Sequence, residues 1–298
     1  MAKKKQIRTK LTWRETFHLY KDTILEFSKE KTFIHSASLS YYTVLSLVPI
    51  IYLSIVSFGK IIGQETMVKI ISNFLKDNIG IQDIKGILEF LNQMNFEKSN
   101  FWMQTVVIIT LLISCSALFN SLKFSMNEFY DIEKKFTSNK KMIISSLGAR
   151  LKSIGILAFF GFSIVVTYFF QTILISFGTK LFSDLSFMQW VVYTFTQHLL
   201  AIISNIFIFW LIFKFLHDAF VPWKIALAGS VFTSILLYIG QLLIKYYLTN
   251  YFFARDTGLA GTILVILVWM YYTSQIIFLG AKFTSVYAQK LGKPLQVD

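Results

Sequence analysis

Uncharged hydrogen-bonding side chains recurring at helical spacing are the most chemically suggestive residues of this chain. Ser116, Asn120, Lys123 and Asn127 follow one another at intervals of 4, 3 and 4, and Ser163, Thr167 and Gln171 at intervals of 4. Ser230, Ser234, Gln241 and Lys245 share a third face. Buried amides and hydroxyls cost free energy unless bonded, so these faces should point toward other helices or a hydrated groove. Packing is the simpler expectation, because an interhelical hydrogen bond contributes only about 0.6 kcal/mol. A groove would instead bind an amphipathic solute, with Lys123 and Lys245 at its ends to meet a phosphate head. A further polar group, Ser36, Ser38, Ser40, Tyr41, Tyr42, Thr43 and Ser46, precedes Pro49. Pro49 removes one helical hydrogen bond and predicts a kink, whose freed carbonyl a nearby hydroxyl could serve.

Enzymatic constellations are missing from the sequence. His18, His35, His198 and His217 are scattered, with neither H-E-x-x-H nor Cys/His metal spacing. No G-x-x-x-x-G-K-[ST] loop is present to hold ATP phosphates, and no G-x-S-x-G to present a serine nucleophile. Cys115 is the single cysteine, so no disulfide can form within the chain. No catalytic residue, metal or cofactor is expected, and the protein is not expected to be an enzyme. Acids stand only at the edges of the apolar segments, at Glu128, Asp131, Asp218 and Asp256, where any proton coupling would have to occur.

The elements that carry these residues are legible from charge. Residues 32–59, 99–122, 153–179, 185–213, 225–244 and 257–281 contain no Asp, Glu, Lys or Arg. A helix needs about 20 apolar residues to cross a hydrocarbon layer about 30 Å thick, so each window can span once. The 55% hydrophobic content and mean hydropathy of +0.58 agree. The fold expected is all-α: a polytopic membrane protein with six transmembrane helices, near 33–58, 101–122, 154–177, 187–213, 225–244 and 259–281. Residues 1–31 then form a cytoplasmic N-terminal segment, 32–290 a single six-helix domain, and 291–298 a tail.

Charge also orients the chain. The net charge is +13. With the N-terminus inside, the inner segments carry 21 Lys and Arg against 9 acids, and the outer ones 8 against 7. That asymmetry follows the positive-inside rule and places both termini in the cytoplasm. It accounts for the basic pI without nucleic acid, which is not an expected partner; membrane lipids are, because Lys and Arg favour anionic leaflets. The Lys3-Lys4-Lys5 run precedes no short apolar segment, so a cleavable signal peptide is not expected.

Before the first window, Thr12-Trp13-Arg14-Glu15 has the spacing of a capping box and predicts a helix start. Trp13, Phe17, Tyr20, Ile24 and Phe27 then form an apolar stripe. Such a helix can lie in the headgroup plane or pack on the inner ends of the spans, and the sequence favours neither. In the loop after the first window, Met67, Ile70, Ile71, Phe74 and Leu75 predict one short amphipathic external helix, and Ile84, Ile87, Leu88 and Leu91 another.

Several short motifs, in order, resemble the YihY/virulence factor BrkB family of bacterial inner-membrane proteins. They are Leu39-Ser40-Tyr41-Tyr42 through Ser46-Leu47-Val48-Pro49, Pro222-Trp223, Gly229, Gly258, Gly261, Trp269, Leu279-Gly280-Ala281 and Tyr287. The resemblance implies a six-helix protein of the cell envelope and supplies no substrate. Where that family usually has Gly-Ala-Glu, this chain has Gly280-Ala281-Lys282. Glu128, Asp131 or Asp218 could pair with Lys282, but the favoured expectation is a lysine snorkelling to anionic headgroups. Some relatives carry a ribonuclease label, for which this sequence offers no metal-binding cluster.

The functional expectation is an integral membrane protein of the bacterial inner membrane that handles or translocates a lipid-like envelope component without ATP hydrolysis. Tyr41, Tyr42, Ser46, Pro49, Asn120, Lys123, Gln171, Gln241, Lys245 and Lys282 are the candidate groove or hinge residues. The alternative is a structural membrane protein with envelope proteins as partners.

Overall fold

The computed structural model describes residues 12–74, 101–132, 187–251 and 258–297. Its helices are α1 (Trp13–Lys29), α2 (Thr32–Ile62), α3 (Gln64–Phe74), α4 (Phe101–Phe129), α5 (Phe187–Phe215), α6 (Trp223–Tyr251) and α7 (Gly258–Lys290). Among the described residues, four stretches are long and apolar enough to cross a membrane: Gln104–Phe129, His198–Phe215, Trp223–Ile244 and Ile263–Lys290. Helix α2 covers the first charge-free window and runs through Pro49 as one 31-residue helix. The window at 153–179 and the second expected external helix lie outside the described residues.

One departure from an all-α fold is a two-residue ladder. Strand β1 (Ala219–Phe220), between α5 and α6, pairs antiparallel with β2 (Gln296–Val297), with Ala219 opposite Val297 and Phe220 opposite Gln296. A left-handed residue, Gly292 at φ 73°, redirects the chain after α7. The Lys293 N–H closes on the Ala288 carbonyl at 2.9 Å, satisfying a helix-end acceptor. Apolar periodicity could not have announced strands this short.

The chain divides into two compact units, and the division falls inside α4, α6 and α7. One comprises Met1–Glu30, Lys123–Leu236 and Ile277–Asp298; the other comprises Lys31–Leu122 and Leu237–Ile276. In the second unit, Ile55, Val265 and Ile266 form a buried cluster against which Val44, Leu47, Met67, Ile71 and Trp269 pack. Gly63 at φ 91° ends α2 and lets α3 turn back onto it.

In the first unit, α1 starts where the capping-box spacing puts it. The Glu15 carboxylate accepts the Thr12 N–H at 2.8 Å and satisfies a donor left over at the helix start. Leu19 packs on Phe283 and Val286 of α7, and Tyr20 meets the rings of Phe232 and Phe283. Phe27 stacks on Phe129, which stacks on Phe278. Helices α6 and α7 touch through two reciprocal Gly-x-x-x-Thr pairs. A Cβ on Gly229 would overlap Thr284 Oγ1, and one on Gly280 would overlap Thr233 Oγ1. Each threonine donates to the carbonyl four residues back, Thr233 to Gly229 and Thr284 to Gly280. That bond holds each hydroxyl where the opposing glycine leaves room.

Candidate functional site

The densest polar arrangement sits where α1, the end of α4 and α7 meet in the first unit. Lys282 of α7 is buried, its side chain only 3% exposed. Its ammonium donates to Asp131 Oδ1 at 3.0 Å and to Glu30 Oε1 at 3.1 Å, and lies 3.7 Å from Glu26 Oε2. Ser285 and Gln289, one and two turns further along α7, approach the other Asp131 oxygen at 3.5 and 3.4 Å. The expected snorkelling of Lys282 is therefore corrected. Carboxylates from two other elements converge on the ammonium inside the protein, and their attraction at close range replaces that of lipid headgroups.

Backbone geometry explains how Asp131 reaches this place. It is the one described non-glycine residue in the left-handed region, at φ 58°. It ends α4, and the Ile132 N–H then bonds the Asn127 carbonyl at 2.9 Å. Glycine would fit that cap more easily but has no carboxylate to offer Lys282. A second tie is Lys290 to Asp22, at 2.6 Å. Together these ion pairs fasten the acidic side of α1 to α7.

A polar clamp also holds the turn between α5 and α6. Asn127 Nδ2 donates to Asp218 Oδ2 at 2.8 Å, Asn127 Oδ1 accepts the Asp218 N–H at 3.0 Å, and Lys123 pairs with Asp218 Oδ1 at 2.6 Å. His217 Nδ1 accepts the Ala219 N–H at 3.1 Å, so Nε2 carries the proton and donates to the Phe213 carbonyl at 2.7 Å. Lys214 donates to the Val221 carbonyl and lies 4.4 Å from the Phe220 ring centre. Lys123, expected to meet a phosphate head, is thus matched by a carboxylate of the protein itself.

Titration of these groups gives a testable pH response. The hydrogen bond and charge of Lys290 hold the Asp22 carboxyl below its ordinary range, and burial lowers the His217 imidazole. A lowered folded-state pKa means the contribution is complete above the unfolded value and is lost as pH falls through the folded one. The unfolded values are about 6.5 for His and 3.9 for Asp. On acidification from neutrality, the turn around His217 should loosen first and the α1 tie later. Hydrogen exchange corrected for intrinsic rate should show the Ala219 amide losing protection before the amides of α1. Simultaneous loss, or none, would contradict that order.

The remaining expected residues separate. Ser46 is buried and donates to the Tyr42 carbonyl at 2.8 Å; Thr43 and Ser40 donate to the carbonyls of Leu39 and Ala37. None of these acceptors is the Leu45 carbonyl that Pro49 leaves without its helical donor. Tyr41 is 56% exposed and its ring meets that of the half-buried Tyr42 edge-on. Asn120 is exposed, whereas Asn127 on the same stripe is buried, so that polar face does not point inward along its whole length. Gln241 is half-buried. Pro49 and Lys245 stand in α2 and α6, but their side chains, like the whole of Gln171, lie outside what is described. Among the described residues, no group of three His, Cys, Asp or Glu is placed to hold a metal ion.

Glu26 and Glu30 escaped the sequence reading, as did the glycine–threonine contacts. A signal existed for each. The two acids are four residues apart on one side of α1, and Gly229-x-x-x-Thr233 and Gly280-x-x-x-Thr284 repeat one spacing in neighbouring spans.

Comparison with known proteins supports the resemblance. A UPF0761 membrane protein of Pseudoalteromonas translucida (strain TAC 125) is 25% identical over 253 residues, covering 85% of this chain and 80% of the relative. Another, from Aggregatibacter aphrophilus (strain NJ8700), is 23% identical over 268 residues, covering 88% and 89%. A third, from Glaesserella parasuis serovar 5 (strain SH0165), is 25% identical over 208 residues, covering 66% and 68%. Their names describe membrane proteins and state no activity. No solved structure matches. The profile described as Virulence factor BrkB matches residues 23–296, and the chain belongs to that family of membrane proteins.

Proposed function

We propose that this is a six-span protein of the bacterial inner membrane, with both termini cytoplasmic, that handles or translocates a lipid-like amphipathic component of the envelope without hydrolysing ATP. The supporting observation is Asn120, an exposed amide within the charge-free stretch 99–122 of a helix long enough to cross a membrane. In hydrocarbon its donors and acceptor would go unsatisfied, a cost a polar headgroup or its water would remove. Tyr41, also exposed, and the half-buried Gln241 belong to the same unit and extend the polar character available to such a solute. The lysines Lys123 and Lys282 are engaged by carboxylates, so they hold the protein together rather than meet the solute.

Reconstituted vesicles carrying fluorescent anionic lipid test this reading. Dithionite should quench the inner-leaflet label severalfold faster with protein than without, and Asn120→Leu should cut that gain severalfold at unchanged melting temperature. Equal quenching with and without protein would reject lipid movement. An envelope protein co-purifying in fixed ratio alongside that result would favour the structural alternative.

A further inference from the structure

Helix α1 carries three chemically distinct faces, of which two are occupied within the protein. Leu19 and Thr23 are buried, Leu19 on Phe283 and Val286. The adjoining acidic face is matched by α7: Asp22 meets Lys290, and Glu26 and Glu30 meet Lys282. The third face is apolar and uncovered, with Trp13 90%, Phe17 71% and Ile24 58% exposed and Tyr20 partly so. At 100° per residue these four lie within one narrow sector, and exposed Arg14 and Lys21 border it, with exposed Lys29 beyond. Asp22, Glu26 and Glu30 are therefore turned toward internal lysines, while Arg14 and Lys21 border an exposed aromatic stripe.

We propose that this face of α1 docks on the anionic surface of the membrane in which the protein resides. Two observations commit it to that occupant. The partners of α1 on α7, from Lys282 to Lys290, lie at the end of a candidate span, which puts α1 at the depth where a span meets water. The pattern of aromatics bordered by Arg and Lys matches an interface whose apolar layer begins below negatively charged phosphates. Trp13, Phe17 and Ile24 enter the headgroup and acyl boundary by about 5–10 Å, and Arg14 and Lys21 meet the phosphates. Anionic lipid thereby steadies α1 against α7 from the side opposite the ion pairs. This proposal stands apart from lipid translocation, because a protein that moves no lipid could still dock α1.

Spin labelling of the full chain in nanodiscs tests it. In a Cys115→Ser background, a nitroxide at Phe17→Cys should have an oxygen-to-nickel collision ratio severalfold above one at Glu15→Cys on the acidic side. That ratio should fall when phosphatidylglycerol is replaced by phosphatidylcholine, and on Arg14→Gln with Lys21→Gln. A ratio at position 17 equal to that at position 15 in anionic nanodiscs would overturn the proposal. So would dipolar broadening at position 17 that unlabelled protein dilutes away, since a second copy would then cover the stripe. Labelling at Trp13→Cys gives an independent reading should Phe17→Cys fail to fold.

Discussion

Replacing Lys282 with methionine should lower the stability of the folded chain by about 3–5 kcal/mol, the range for removing one partner of a buried ion pair. The reason is what stays behind. Glu26, Glu30 and Asp131 would still converge, now without a cation, and their mutual repulsion would act where Lys282 is almost wholly out of water. Partial exposure of the carboxylates moderates the loss, because water can screen them. Asp131→Asn keeps a residue that tolerates the left-handed backbone while removing one charge, so combining it with Lys282→Met should recover part of the loss. Denaturant unfolding in mild detergent measures each step, with Lys293→Met, at an exposed position, as the control. A midpoint for Lys282→Met equal to that control would mean the buried pairs contribute nothing net.

Much of the helical scaffold was readable because membrane insertion imposes a one-dimensional rule. A crossing helix must exclude charge over about 20 residues, and that constraint is written locally in the chain. Four of the charge-free windows accordingly contain helices able to cross, and Thr12 and Glu15 marked where α1 begins. The Lys282 cluster follows no such local rule. Its partners lie 151 and 252 positions away, at Asp131 and Glu30, and a lysine at the end of an apolar run reads equally well as one that reaches for headgroups. Asn127 showed the same difficulty: spacing put it on a polar stripe, but only the fold reveals that it serves Asp218, 91 positions on. Proline at 49 is uninformative for a different reason. It predicts a missing hydrogen bond but cannot say which carbonyls the neighbouring hydroxyls will choose.

The second large effect is expected at the α6–α7 contact, where Gly229→Ala and Gly280→Ala should each destabilise by about 1–3 kcal/mol, the range for overpacking a well-filled site. Alanine is the better helix former, so propensity alone would predict the opposite sign. Packing decides, because either added methyl would overlap a threonine oxygen on the facing helix. Phe213 tightens both positions, 3.3 Å from the added carbon at Gly229 and 3.0 Å at Gly280, and it is itself fully buried. Thr284→Ala removes the oxygen facing Gly229 and leaves the nearest Cβ at 3.2 Å, a gap that a shift of a few tenths of an ångström opens. The double variant Gly229→Ala with Thr284→Ala should therefore be more stable than Gly229→Ala alone, a non-additivity that identifies direct contact. The same should hold more weakly for Gly280→Ala with Thr233→Ala, where Phe213 leaves less room. Gly280 lies only two residues before Lys282 on α7, so its alanine variant should also disturb the ion pairs. Adding Lys282→Met to Gly280→Ala should then cost less than Lys282→Met costs in the parent chain, whereas Gly229→Ala, on the other helix, should show weaker coupling of that kind. Strict additivity in both cycles would mean that the glycine contacts and the lysine cluster are independent fastenings.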